Sequence, residues 1–314
     1  MDSPVMSRRR MAALLALVGF APGAPALALN VPDLPSSDPT KVQGFTRRLT
    51  VQVTINGQGP YPFLVDTGAN ASVIASELAV LLDLPASRDV ILHGIAGVET
   101  VGAVKARTVT VGRRVRRDLT LSVLPGRFVQ APGVLGLDWL GGQGLILDFA
   151  HDQMRMGSQL PMTDELSVSV PVKARHSGLH LIEAAVAGAP VMAFIDTGST
   201  TTVGNMALMR RAVREHSVTS DWADIQLLSL TGQTLEGRLA ALKTLSLGKI
   251  NIRNVPVVFG PIHTFEYWNL VDQPAILIGI DILNAFESVA LDFTRGQVHF
   301  RLSSSSANRG AAAS

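Results

Sequence analysis

Apolar and polar side chains alternate strictly over Leu49-Thr50-Val51-Gln52-Val53-Thr54-Ile55. That period belongs to a strand with one buried face. Asn56-Gly57 follows, a strong hairpin-turn signal. Tyr61 to Val65 reads as the return strand, and it delivers Asp66-Thr67-Gly68. The period then changes, and Ser76 to Leu82 carries the apolar spacing of a helix. Val90 to Gly97 and Val98 to Val104 read as a hairpin punctuated by Gly94 and Gly97. Val109 to Val111 and Leu119 to Leu124 are expected as further, separate strands. Val134-Leu135-Gly136-Leu137-Asp138-Trp139-Leu140 predicts an apolar strand turning into a short helix. Leu145 to Phe149 and Met154 to Met156 complete this half.

The second half repeats the order. Leu179 to Val186 and Val191 to Ile195 predict a hairpin that delivers Asp196-Thr197-Gly198. Asn205 is a candidate cap for a helix from Met206 to Glu215, with Met206, Met209 and Val213 on its buried face. Leu228 to Gly232 turns into Gln233 to Leu239. Thr244 to Gly248 matches Thr108 to Gly112, and Ile276 to Leu283 matches the segment around Gly136. The spacing of matched positions grows from 130 residues between the two acids to 144 between Asp148 and Asp292. Such a drift is what loop insertions between two copies produce. One repeat of this size predicts two lobes rather than a solenoid. The fold expected is mainly β, with two homologous lobes about a pseudo-twofold axis and few short helices.

Composition changes the picture at the ends. Arg8-Arg9-Arg10, the apolar run Met11 to Phe20 and the small-x-small site Ala26-Leu27-Ala28 read as an export signal over residues 1–28. Ser7 to Met11 also resembles a twin-arginine signal. The ten-residue apolar run is too short to span a bilayer, and no other stretch predicts a membrane span. The expected location is therefore the periplasm or the exterior. Residues 29–45 read as a linker or short pro-segment, 46–156 as the first lobe, 157–172 as a connector, 173–302 as the second lobe and 303–314 as a disordered tail. The chain has 27 basic and 25 acidic residues, and its net charge of +2 lies in the leader. The neutral remainder offers no general argument for nucleic acid binding. Arg113-Arg114-Val115-Arg116-Arg117 reads as a solvated strand end or edge guard. There is no cysteine, which excludes disulfides.

The repeat suggests a chemistry. Whatever one lobe presents at a pseudo-twofold axis meets its counterpart there. Asp66 would lie beside Asp196, and two close carboxylates share one proton. One is then a general base and the other a general acid at the same pH, which is what adding water to an amide requires. Gly68 and Gly198 let backbone approach the acids, and Thr67 and Thr197 can bond across the lobe boundary. The turns Gly94-Ile95-Ala96-Gly97 and Leu230-Thr231-Gly232 are candidates to fold over an extended peptide.

Asp66-Thr67-Gly68-Ala69 and Asp196-Thr197-Gly198-Ser199, with the later Val134-Leu135-Gly136 and Leu277-Ile278-Gly279, resemble the retropepsin-like aspartic proteases, as an exported bacterial member with two lobes fused. The resemblance covers roughly residues 46–302. It implies retropepsin- or pepsin-like lobes and an aspartic endopeptidase acting on a peptide or protein in extended conformation. It also implies a water activated between Asp66 and Asp196, with no metal or organic cofactor. With both lobes in one chain, a monomer that is an internal pseudo-dimer is expected rather than an obligate dimer. A binding module that keeps the fold but cleaves weakly or not at all is the alternative.

Three departures from the family pattern stand out. Leu137 and Ile280 occupy the place where retroviral relatives carry an arginine, which leaves Asp138 and Asp281 to backbone capping. Neither hairpin holds a tyrosine; the two tyrosines are Tyr61 and Tyr267. Ser199 can donate toward its own acid and Ala69 cannot, so Asp196 is expected as the better stabilised anion and Asp66 as the proton holder. No Gly-x-Ser-x-Gly elbow, zinc-binding His-Glu-x-x-His or phosphate loop is present. His176 and His180 lie four apart in loop and strand, which does not make a helical metal pair.

Overall fold

A computed structural model describes residues 27–30, 50–140, 144–151, 153–157, 164, 166–176, 179–292 and 294–303. Most of the expected leader and linker, and the tail from residue 304, lie outside the described residues. The chain is mainly β, in two barrel-like lobes.

Strand Thr50–Ile55 buries Val51, Val53 and Ile55 on one face, as its alternation requires. Asn56 and Gly57 both have positive φ, the condition for a tight hairpin turn. The return strand Gln58–Val65 runs parallel to Gly133–Leu135. The sheet continues through Val73–Ala75, Arg114–Leu124 and Gly97–Val111 to Ala86–Gly94. Val53 to Ile55 also pair with Val109 to Val111, so the sheet curls back on itself. The second lobe repeats this order through Leu179–Val186, Ala189–Ile195, Ala275–Ile278, Val203–Gly204, Ile250–Phe259, Thr234–Leu247 and Ala223–Leu228. There Ala185 and Val186 pair with Ser246 and Leu245 to close the curl.

Two expectations are corrected. The segments on either side of Lys105 and of Leu242 are not separate strands. Gly97–Val111 and Thr234–Leu247 are each continuous. Near the hairpin tip Gly97–Val111 alternates between half-buried and exposed residues; at Ala103 and Val104, where it enters the lobe, successive residues are buried. The alternation breaks because the surroundings change, not because the strand ends. The helix Met206–Arg214 is capped by Asn205, whose Oδ1 accepts from Leu208 N–H at 2.8 Å. Its buried residues are Ala207, Leu208 and Ala212, while Val213 is 52% exposed. Two small alanines let the helix lie close to the sheet, and the expected face is rotated accordingly.

A third, central layer joins the lobes. Hairpin Gly144–Asp148 with Gln153–Gly157 belongs to the first repeat, yet it pairs antiparallel with Ser288–Asp292 of the second. Leu145 faces Leu291, Leu147 faces Val289, and Ile146 faces its own counterpart Ala290. The local twofold passes between those two residues. Ser167–His176 then pairs with both Gln297–Arg301 and Leu179–Val186, which links this layer to the second lobe. Leu27–Asn30 lies parallel to Ile250 to Arg253.

The lobes fill the matching stretch of core differently. In the first, the Phe63 ring lies over Gly133, which pairs with Ile74. In the second, the Phe259 ring lies over Gly204, which pairs with Ile276. The ring comes from the acid-delivering strand in one lobe and from Ile250–Phe259 in the other. No helix among the described residues is long and apolar enough to cross a membrane.

Candidate active site

Each acid leaves the end of a strand that is held on both sides. Asp66 N–H donates to Leu135 O at 2.9 Å, and Asp196 N–H donates to Ile278 O at 3.0 Å. Beyond the turns, Leu137 N–H donates to Ala69 O and Ile280 N–H to Ser199 O. The apolar strand that ends at Gly136 or Gly279 thus runs alongside its acid turn and fixes the backbone there.

Asp66 Oδ1 accepts from Gly68 N–H at 2.8 Å and Ala69 N–H at 2.9 Å. Asp196 Oδ1 accepts from Gly198 N–H at 2.8 Å and Ser199 N–H at 3.2 Å. These bonds tie one oxygen of each carboxyl to its turn. The two carboxyls hydrogen-bond each other. A methyl group on Gly68 would come within 2.6 Å of the Asp196 carboxyl, and one on Gly198 would overlap the Asp66 carboxyl. Only glycine permits each acid to lie over the opposite turn.

The threonines cross the boundary. Thr67 Oγ1 donates to Ile195 O and Thr197 Oγ1 donates to Val65 O, each at 2.7 Å. Behind each turn a second acid caps backbone. Asp138 accepts from Ser72 N–H, Ser72 Oγ and Trp139 N–H. Asp281 accepts from Thr202 N–H, Thr202 Oγ1 and Ile282 N–H.

Asp66 is 7% exposed. Burial first, then the negative charge of Asp66 and the bond with it, hold the Asp196 carboxyl well above the usual carboxylate range. The expected asymmetry rested on the Ser199 hydroxyl. Ser199 Oγ donates to Thr201 O at 2.7 Å, so its hydroxyl is spent on the local turn rather than on Asp196. With that donor gone, the two turns hold their acids alike, and the shared proton belongs to the pair.

The two glycine-rich turns meet each other. A side chain at Gly94 would run into Ser229 Oγ, and Gly97 lies beside Gln233. Ser229 N–H donates to Gln233 O across the second turn, which holds Leu230, Thr231 and Gly232. Each tip also crosses to the opposite lobe. Ile95, next to Ala96 at the first tip, packs on a second-lobe cluster with Phe194 and Val258. Leu230 packs on a first-lobe cluster with Leu64, Val129 and Val134. Gly232 lies against the ring of Phe128.

A family model described as aspartyl protease matches residues 51–139 and 182–282, once in each lobe and more than half of the chain in total. The chain belongs to that family. A comparison with curated proteins found no match. In this aspartyl protease-family chain both matched segments stop just beyond a capping acid, Asp138 or Asp281, and leave the central hairpins outside.

Reading the sequence alone misses one group beside the site. His93, His263, Glu266, Tyr267 and Asn70 gather where the first hairpin reaches the second lobe. The two histidines are 170 residues apart, so no local spacing reveals them. The aromatic group Phe265, Tyr267 and Trp268 lies on and just after the helical turn His263–Tyr267. Phe265 and Trp268 are buried, and Tyr267 faces the hairpin. The tyrosine that neither hairpin carries thus approaches the first one from the other lobe.

Proposed function

We propose that this protein is an aspartic-type endopeptidase that hydrolyses peptide bonds with a water activated between Asp66 and Asp196. The observation that carries this reading is the hydrogen-bonded pair of carboxyls, each fixed by its own turn, with one of them held protonated by its surroundings. Ionised Asp66 takes a proton from the water as its oxygen attacks the carbonyl carbon. Protonated Asp196 gives its proton to the carbonyl oxygen. The resulting diol collapses when one hydroxyl returns its proton to Asp196 and the amine leaves with the proton held by Asp66. One proton shared by the two carboxyls supplies a base and an acid at the same pH.

The hairpin tips support an extended peptide as substrate. Ile95 and Leu230 already occupy apolar ground on opposite lobes, and strand edges pair with an extended backbone. The leader-like pattern over residues 1–28 makes export part of the same reading. N-terminal sequencing of secreted protein should then begin after Ala28, and an intact leader on the exported protein would refute it.

The test is incubation with a mixed peptide library between about pH 3 and 7, with and without a statine-type transition-state analogue. Cleavage should be blocked by the analogue and abolished by Asp66→Asn and by Asp196→Asn. Peptides bound but left intact at every pH would favour a peptide-binding module instead.

A further inference from the structure

Two histidines outside the acid pair meet where the first hairpin touches the second lobe. His93 lies just before the tip, and His263 opens the helical turn His263–Tyr267. His93 Nδ1 and His263 Nε2 are 3.0 Å apart, with the rings 9° from parallel. His263 Nδ1 faces Glu266 Oε2 at 3.0 Å. The backbone N–H of His263 donates to Ile95 O at 2.9 Å. Tyr267 packs on the His93 ring with centroids 4.1 Å apart, and its hydroxyl accepts from Asn70 Nδ2 at 3.1 Å. Asn70 belongs to the turn that holds Asp66. One set of contacts therefore joins the hairpin tip, the second lobe and the first acid's turn.

We propose that His93 and His263 are positioning residues, a proton-gated clasp that holds the first hairpin against the second lobe while the pair carries at most one proton and frees it when both are charged. This role rests on reading the cleft as a peptidase site that substrate enters under the hairpins.

Proton counting sets the gate. With His263 neutral and its Nδ1–H donated to Glu266, its Nε2 accepts from His93 Nδ1–H. With one added proton on His263, Nε2–H donates to a neutral His93 Nδ1. Glu266 compensates that charge. A second proton places N–H on both facing atoms, and a bond becomes a contact between two cations. Two ionisable groups face the pair, the Glu266 carboxylate and the Tyr267 phenol, both from the helical turn. Asn70 is neutral, and Val98 stands opposite His93 across the hairpin. Burial and the charge of His263 hold His93 below the ordinary imidazole range. The second proton is therefore taken up in acid, where a carboxyl dyad works.

The reporter is the His263 amide, whose partner is Ile95 O. Its hydrogen exchange, corrected for intrinsic rate, is measured from about pH 4.5 to 7.5. Protection should fall about tenfold per pH unit once His93 titrates, as a one-proton linkage requires. Asn in place of His93 keeps a donor and an acceptor near Nδ1 without a titrating proton. His93→Asn should thus stay protected across the range, and His93→Ala should be unprotected throughout. Flat protection in the natural chain, or an unchanged pH dependence in His93→Asn, would overturn the clasp. The readout does not need catalysis. A chain that exchanges as expected but cleaves nothing keeps the clasp and refutes the peptidase; cleavage with flat exchange does the reverse.

Discussion

Thr67 and Thr197 exchange hydrogen bonds across the lobe boundary, the N–H of each donating to the hydroxyl of the other at 3.2 Å. Each hydroxyl then donates to the carbonyl just before the opposite acid. Position and ionisation of one acid are therefore set partly by the other lobe. Thr67→Val leaves the Thr197 N–H and the Ile195 carbonyl buried and unpaired. The expected cost is about 1–3 kcal/mol for each such group, with loss of cleavage. Thr67→Ser keeps both bonds and should stay near the natural chain. Urea midpoints and turnover, measured together, check this.

Ser199 offers a sharper contrast. Because its hydroxyl is committed to Thr201 O, Ser199→Ala should leave the acidic limb of the pH–rate profile in place. Asp66→Asn should act differently. It removes the negative charge that helps to raise Asp196, so the Asp196 carboxyl should titrate at lower pH. Carbon-13 carboxyl NMR reads that directly, and an upward shift would contradict the coupling of the two acids.

Asp281 predicts a pH dependence of stability. Burial pushes its carboxyl up to about 6, against the pull of its bonds with Thr202 and Ile282. The folded state then holds the proton more tightly than the unfolded chain. Stability from this group is complete below the unfolded value near 3.8 and is lost as pH rises through about 6. The difference between those two values sets an upper figure of about 3 kcal/mol. Asp281→Asn should remove that slope, whatever it does to the overall level. Asp138, its counterpart, is raised by burial in the same direction. Urea titrations at about pH 4 and 7 compare the slopes of the two proteins.

The aromatic positions make a packing prediction. Gly133→Ala would drive a methyl group into the Phe63 ring and the Val73 carbonyl, a fault expected to cost about 1–3 kcal/mol. Gly204→Ala meets the Phe259 ring instead. Pairing Gly133→Ala with Phe63→Leu should recover part of the loss, and Gly133→Ala with Phe259→Leu should recover none. Thermal melts of the four variants decide.

Much of this is legible in the sequence. Alternation in Thr50–Ile55 and the apolar runs before Asp66 and Asp196 depend on local neighbours, and local neighbours are what a sequence shows. The repeat register places the acids as a pair. What stays hidden depends on contacts distant in the chain. Nothing near Ile146 announces that it will pair with Ala290. The Ser199 hydroxyl has two acceptors within reach, and only the turn geometry chooses Thr201 O. The buried face of Met206–Arg214 is misread from sequence because two alanines, weak as hydrophobic signals, decide how closely it docks. His93 and His263 meet only because a hairpin and a helical turn from different lobes converge.

The exchanged positions of Phe63 and Phe259 bear on ancestry. A lobe that owns its ring on the acid-delivering strand cannot swap that strand with the other lobe. Grafting Ala189–Ile195 into the first lobe would leave a hole above Gly133, and grafting Gln58–Val65 into the second would set a ring against Ile276, where the first lobe has glycine. Each copy of the pattern has settled on its own ring and its own glycine. Whole lobes keep their matched ring and glycine; it is the single strands that have ceased to be interchangeable.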